Sequence, residues 1–239
     1  MRLGLLAAAV LVLAACGGST PDPLAPAKAF TKADEQTARN VDVRQSDVPP
    51  EYPPHGSQQT GRERCAPDLS GLTLTADDRS RPFVTRGATG YVLGRVDLYE
   101  TASQAASAFR KTTGASRLHC LLGIAGTALS RYDHGRVVVG AGPTVEARAG
   151  STVVARRFAE SWQEPGGAHR QTTDDVYLLV GRTLVILSFF RDRGVFPAAA
   201  ETRAIERVLA RALGSPGSKP RKGEAALRAG GLDSAHADA

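Results

Sequence analysis

Two apolar runs meeting at a two-residue turn constrain this chain more than any other feature. Leu178-Leu179-Val180 and Leu184-Val185-Ile186-Leu187 flank Gly181-Arg182. Short runs rich in branched side chains and joined through glycine read as a tight antiparallel hairpin. Their apolar character is nearly continuous rather than alternating, so both faces of these strands should be covered and the hairpin should sit centrally in a sheet.

The remaining patterns build around that hairpin. Val153–Trp162 and His169–Val180 read as strands on either side of the Glu164-Pro165-Gly166-Gly167 loop, with Thr183–Phe190 following and Tyr91–Tyr99 earlier in the chain. Thr31-Lys32-Ala33-Asp34 opens a helix that runs to about Asn40, and Val41–Arg44 reads as a short strand before Pro49-Pro50. Thr101-Ala102-Ser103-Gln104 matches a capping box, Ala102, Ala105, Ala106 and Phe109 share one helical face, and Gly114 suits a stop. A second helix over 116–125 would turn Cys120, Leu121 and Ile124 inward. Pro197 suits the start of a closing helix whose Ile205, Val208, Leu209, Ala212 and Leu213 face in, with Arg203, Arg207 and Arg211 facing out. The fold class is therefore α+β, a mainly antiparallel sheet with helices packed on it, in a single domain spanning 28–214.

The start of the chain carries an address. Met1-Arg2 precedes an uncharged apolar run from Leu3 to Ala15. As a helix those residues reach roughly 20 Å, short of the ~30 Å hydrocarbon core, so residues 1–15 read as a cleaved signal peptide. Leu13-Ala14-Ala15-Cys16 resembles the lipobox of bacterial lipoproteins. The resemblance implies cleavage before Cys16 and a diacylglyceryl group on its sulfur. With acyl chains such as palmitate, this would hold the protein on the cell membrane, facing outside the cytoplasm. Residues 16–27, with Gly17-Gly18-Ser19-Thr20, Pro21, Pro23 and Pro26, then read as a flexible tether, and 215–239 as a disordered tail.

If Cys16 carries lipid, two of the three cysteines remain. In an oxidising compartment Cys65 and Cys120 are expected to form a disulfide, the alternative being two reduced, buried thiols. The formal net charge is +6, and losing Arg2 with the signal leaves +5. It comes mostly from scattered arginines, which reads as a solvated basic surface and not as a nucleic-acid site. Walker, H-E-x-x-H and G-x-S-x-G signatures are missing, and the five histidines show no metal-ligand spacing, so neither a cofactor nor a catalytic group is assigned. Gly140-Ala141-Gly142 reads as a loop, Tyr132-Asp133-His134-Gly135 as a turn, and the acid pairs Asp77-Asp78 and Asp174-Asp175 as turn or rim residues. Trp162 and Tyr177 are the residues assigned to a ligand groove between sheet and helices. Ordinary packing is the plainer reading of Trp162, as it is of Phe158, Phe189 and Phe190.

The segments "VDVRQSDVPPEY", "GYVLGRVDLYETASQAASAFRK" and "LHCLLG", followed by paired strands and a terminal amphipathic helix, resemble actinobacterial exported proteins. Some of those are similar to the extracellular sensor domains of mycobacterial receptor serine/threonine kinases. The resemblance covers roughly residues 28–213 and implies a similar fold and a binding role. It transfers no site residue, and those sensors are expected to carry two disulfides where this chain has cysteines for one. Three functions follow from the sequence: a membrane-anchored, non-catalytic binding or sensor-like module for an envelope ligand or protein partner; a carrier of an envelope lipid or other apolar ligand; and an extracytoplasmic hydrolase.

Overall fold

The computed structural model describes residues 23–56 and 65–218. Residues 1–16, on which the expected signal peptide and the Cys16 anchor fall, and most of the expected tail lie outside these residues. Eight strands form one sheet: β1 (Ala27–Lys28), β2 (Thr73–Arg79), β3 (Phe83–Val84), β4 (Gly90–Tyr99), β5 (Asp133–Ala141), β6 (Ser151–Glu164), β7 (Gly167–Val180) and β8 (Thr183–Asp192). The order is β1-β2-β4-β8-β7-β6-β5, with β3 also pairing β4. Among the described residues only β1 and β2 run parallel. The α+β architecture with a mainly antiparallel sheet stands.

The Gly181-Arg182 hairpin is central, and its near-continuous apolar runs are covered on both sides. Val176, Leu178, Val185, Leu187 and Phe189 point to one face. That face is sealed by α1 (Lys32–Val41) and α4 (Ala198–Gly214) through Ala38, Val41, Ile205, Val208 and Leu209. Tyr177 and Leu184 point to the other face, under Ala105, Ala108 and Phe109 of α2 (Ala102–Thr113). Fully burying one such aliphatic side chain contributes roughly 1.5–3 kcal/mol, so these two clusters carry most of the stabilisation. Gly181 has φ +55°, and the oxygen of Gly217 would lie 2.6 Å from a Cβ there. Both the turn conformation and the packing therefore require glycine.

The same packing explains where local patterns mislead. Val41–Arg44 is not a strand. Asp42 N–H still donates to Ala38 O, and Asp47 closes a tight turn by accepting from Arg44 N–H at 2.8 Å. The chain crosses β4 so closely that a Cβ on Gly94 would sit 2.3 Å from Asp42 Oδ1. Gly140-Ala141 ends strand β5 and is not a loop. The helix expected over 116–125 is longer, α3 (Ala115–Leu129), and Leu129 is its one buried residue; Cys120 faces out and Leu121 and Ile124 are only half-buried. The reason is that α3 lies at the sheet margin, over β5, where little remains to cover it. Arg211 faces inward, donating to Asp47 Oδ2 at 2.5 Å and to Asp42 O at 2.9 Å.

Candidate functional site

Alternate strand residues share a face, so the pairing register defines a surface on the α2 side of the sheet. On β7 it carries His169, Gln171, Thr173, Asp175 and Tyr177; opposite them on β6 stand Trp162, Glu160, Phe158, Arg156 and Val154. Phe190 and Ser188 of β8, then Tyr91 and Leu93 of β4, continue the rows. α2 covers the end at Tyr177, Leu184 and Tyr99. Beyond it Tyr91, Phe190, Thr173, Gln171, Glu160, Trp162 and His169 are all only part-buried.

The covered end is wired by hydrogen bonds. Arg117, in the first turn of α3, donates to Tyr177 Oη at 2.9 Å, to Thr112 O at 3.0 Å and to Cys65 O at 3.3 Å. Arg156 donates to Thr113 O, so the two guanidiniums satisfy carbonyls at the end of α2. Asp175 accepts from Ser188 Oγ at 2.6 Å and from Tyr177 Oη at 3.4 Å. Cys65 and Cys120 are joined, with Cα atoms 5.9 Å apart, which pins the 65–69 segment to α3.

The uncovered part is aromatic and acidic. Tyr91 stacks on Phe190 with ring centroids 4.8 Å apart. Burial, and then the charges of Asp175 and Glu160, push the Tyr91 phenol above its ordinary value, so it stays a hydrogen-bond donor. Glu160 accepts from Gln171 Nε2 at 2.6 Å. At the far end Trp162 stacks on His169 at 5.4 Å, with Tyr132 at 5.6 Å. Glu164 holds both polar edges, accepting from Trp162 Nε1 at 2.9 Å and lying 3.0 Å from His169 Nε2.

Trp162 and Tyr177 therefore occupy one sheet face but not one pocket. Val154 pairs with Tyr177 and Trp162 with His169, eight residues further along, or about 26 Å at ~3.3 Å per residue. Sequence reasoning missed Tyr91, Glu160, Gln171 and Asp175. The available signal was the unbroken polar run Gln171-Thr172-Thr173-Asp174-Asp175 on a strand whose other end is apolar.

The acid pairs are not in turns, and only Asp77-Asp78 stand at the rim, half-exposed on the open side of the sheet. Asp77 and Asp78 lie within β2. Asp174 and Asp175 are mid-strand and point to opposite faces, and Asp174 is fully buried on the α4 side. Arg157 grips Asp174 with two bonds of 2.7 Å. Glu201, fully buried in the first turn of α4, shares a hydrogen bond with the Asp174 carboxyl. Burial and the neighbouring Asp174 raise its carboxyl to about 8, so it is largely protonated at neutral pH. Burial likewise raises Asp42 to about 7 and pushes Asp97 upward. These perturbed carboxyls sit inside the packed layers. The surface clefts lie elsewhere, among them one of about 470 Å³ beside the disulfide and one of about 730 Å³ along α3. Among the described residues no group of three His, Cys, Asp or Glu side chains is placed to hold a metal ion, and no helix is long and apolar enough to cross a membrane.

No family model matches the chain, and no curated protein matches it in sequence. Among solved structures it is similar to the extracellular domain of PknH from Mycobacterium tuberculosis, at 11% identity and a TM-score of 0.28. That match covers 52% of this chain and spans 56% of the other.

Proposed function

We propose that the protein is a membrane-anchored, extracytoplasmic, non-catalytic binding module, held by lipid on Cys16, whose ligand surface is the uncovered half of the α2 face. The supporting observation is the unequal covering of one sheet. Across β4, β8 and β7 its α4 face is buried under α1 and α4, whereas the α2 face of the same strands and of β6 leaves a row of part-buried aromatic rings and hydrogen-bonding side chains from Tyr91 to Trp162. Rings supply contact area at low conformational cost, and Gln171, Glu160 and Asp175 supply direction. A surface this long suits an extended ligand, a peptide strand or envelope polymer, better than a compact one. The buried placement of Asp42, Asp97 and Glu201 favours binding over hydrolysis, because a general acid must reach its substrate.

The test is purification of the lipidated protein from membranes, crosslinked in the cell, with mass spectrometry of what is joined to it. Adducts on peptides containing Tyr91, Glu160–Trp162 or His169–Asp175 support the reading; adducts confined to other surfaces overturn the site. Cys16→Ala releases the protein from the membrane fraction if the anchor is right, and retention of lipid label by that variant overturns the anchor.

A further inference from the structure

The stretch from Arg110 to Tyr132 contains four cations, Arg110, Lys111, Arg117 and Arg131, and no acidic residue, in a chain that elsewhere mixes the two signs. Most of it is α3, whose sequence ASRLHCLLGIAGTAL is apolar along nearly its whole length. The sheet margin buries only Leu129 of this helix; Leu118, Leu121, Leu122 and Ile124 stay part-exposed, and Thr127, Ala128 and Arg131 are exposed. A surface cleft runs along this outer side, lined by Cys120, Gly123, Ile124, Thr127, Ala128 and Arg131. A part-exposed apolar helix flanked by more cations than acids, Arg110, Lys111 and Arg131 against Asp68 and Asp133, can lie against an anionic lipid surface.

The position of the chain's start says what covers it. Leu69 N–H donates to Leu24 O at 2.8 Å, which fixes the beginning of the domain against the 65–72 segment. That segment is joined through Cys65 to Cys120 on α3. Leu24 is itself 40% exposed. Six residues, 17–22, lie between Cys16 and Pro23, and the seven steps they span extend at most ~25 Å. A lipid on Cys16 thus keeps the edge of the molecule that bears α3 within reach of the bilayer.

We infer that α3 docks on the anionic membrane surface that carries the anchor, with Ile124, Thr127 and Ala128 turned to the lipid and Arg110, Lys111 and Arg131 to the headgroups. The occupant is a lipid surface, and the inference rests on lipidation of Cys16 as proposed above. Docking gives the domain a fixed orientation in place of free rotation on its tether.

The experiment uses the lipidated full chain in vesicles of phosphatidylcholine and phosphatidylglycerol doped with a diazirine phospholipid. After irradiation, lipid adducts are mapped by peptide mass spectrometry. Adducts should concentrate severalfold on 115–131 relative to 198–214, the opposite helix, and should fall when phosphatidylglycerol is left out. Ile124→Asp, at a part-exposed site, should reduce them without changing the circular dichroism spectrum. Each of Arg110→Gln, Lys111→Gln and Arg131→Gln should weaken docking about fivefold. Lipidated protein with equal labelling of the two helices overturns the docking alone. Protection of α3 by a copurified protein in place of lipid also overturns it. An intact mass lacking lipid on Cys16 overturns the anchor and the docking together.

Discussion

The covered part of this sheet and the uncovered end of its α2 face handle charge in opposite ways. On the α4 side, charged groups are buried in matched sets. Arg157 pairs with Asp174 beside Glu201, and Arg211 pairs with Asp47. On the α2 side, beyond the helix, Glu160 and Asp175 are part-exposed, Glu160 accepting from Gln171 and Asp175 from Ser188. Removing one member of a buried pair leaves an uncompensated charge in a poor solvent, whereas removing a part-exposed group mainly changes the surface. Polar residues in the covered part of the sheet, the buried Arg95–Asp97 pair of the α2 face included, are thus part of how the molecule stands, whereas those of the uncovered end stay in reach of solvent.

The sharpest way to break that comparison is at buried charge. Arg182, 4% exposed at the central hairpin, lies 2.9 Å from Asp34 and donates to Tyr99 O at 2.8 Å. Arg182→Ala should destabilise the fold by about 3–5 kcal/mol, read by urea denaturation. A loss below ~1 kcal/mol would mean that Asp34 finds water instead. Removal of the staple follows closely. Cys65 and Cys120 are 55 residues apart, and opening a loop of that size costs about 4 kcal/mol on the chain-entropy model. The Cys65→Ala, Cys120→Ala double variant should unfold correspondingly earlier.

Glu201 supplies a pH signature that belongs to the α4 face. Its folded carboxyl titrates at about 8, against ~4.3 for an unperturbed glutamate. Between those values the folded state binds more protons than the unfolded one. Glu201 therefore favours folding most below the unfolded value, and stability falls as pH rises toward 8, by up to ~1.4 kcal/mol per unit. Asp42, raised to about 7, acts in the same direction over a narrower window. Glu201→Gln should flatten the decline and raise the thermal midpoint above pH 7. A wild-type midpoint that is level from pH 5 to 8 would mean that Glu201 ionises without penalty.

How much of this was legible in the sequence follows from the range of each signal. The central hairpin, α2 and its cap, and the apolar stripe of α4 are local patterns. Thr101 Oγ does accept from Gln104 N–H at 3.1 Å, and Ile205, Val208 and Leu209 are buried as their spacing implies. Edge strand β5 was not legible: most of its residues are exposed and little alternation marks it. The assignment of Arg211 to the outside failed because helical spacing cannot see a loop such as 42–47 wrapping over that face. Asp174 was read as a rim residue because nothing near it in sequence supplies its partners, Arg157 and Glu201, which arrive from β6 and α4. Likewise Trp162 and Tyr177 share a face, as a groove requires, but their separation along β7 is set by register, which the sequence does not display.

The smallest expected effect on stability is on the uncovered face, and it is the most informative for function. Glu160 is part-exposed, bonded to Gln171 and near the Tyr91 phenol. Glu160→Gln keeps the shape and removes the charge, so stability should move by no more than ~0.5 kcal/mol. If this face is where a ligand lies, the same change should alter the yield of crosslinked material from membranes, and Gln171→Ala should shift it in a related way. Charge lost at Glu160 also removes one of the two acids that hold the Tyr91 phenol up, so the phenol should titrate lower, measurable by ultraviolet absorbance. A large destabilisation instead would show that the uncovered end uses its charges as the covered part does, and the distinction between the two would fall. Unchanged stability, a lowered phenol and altered crosslinking together would assign this row of side chains to recognition.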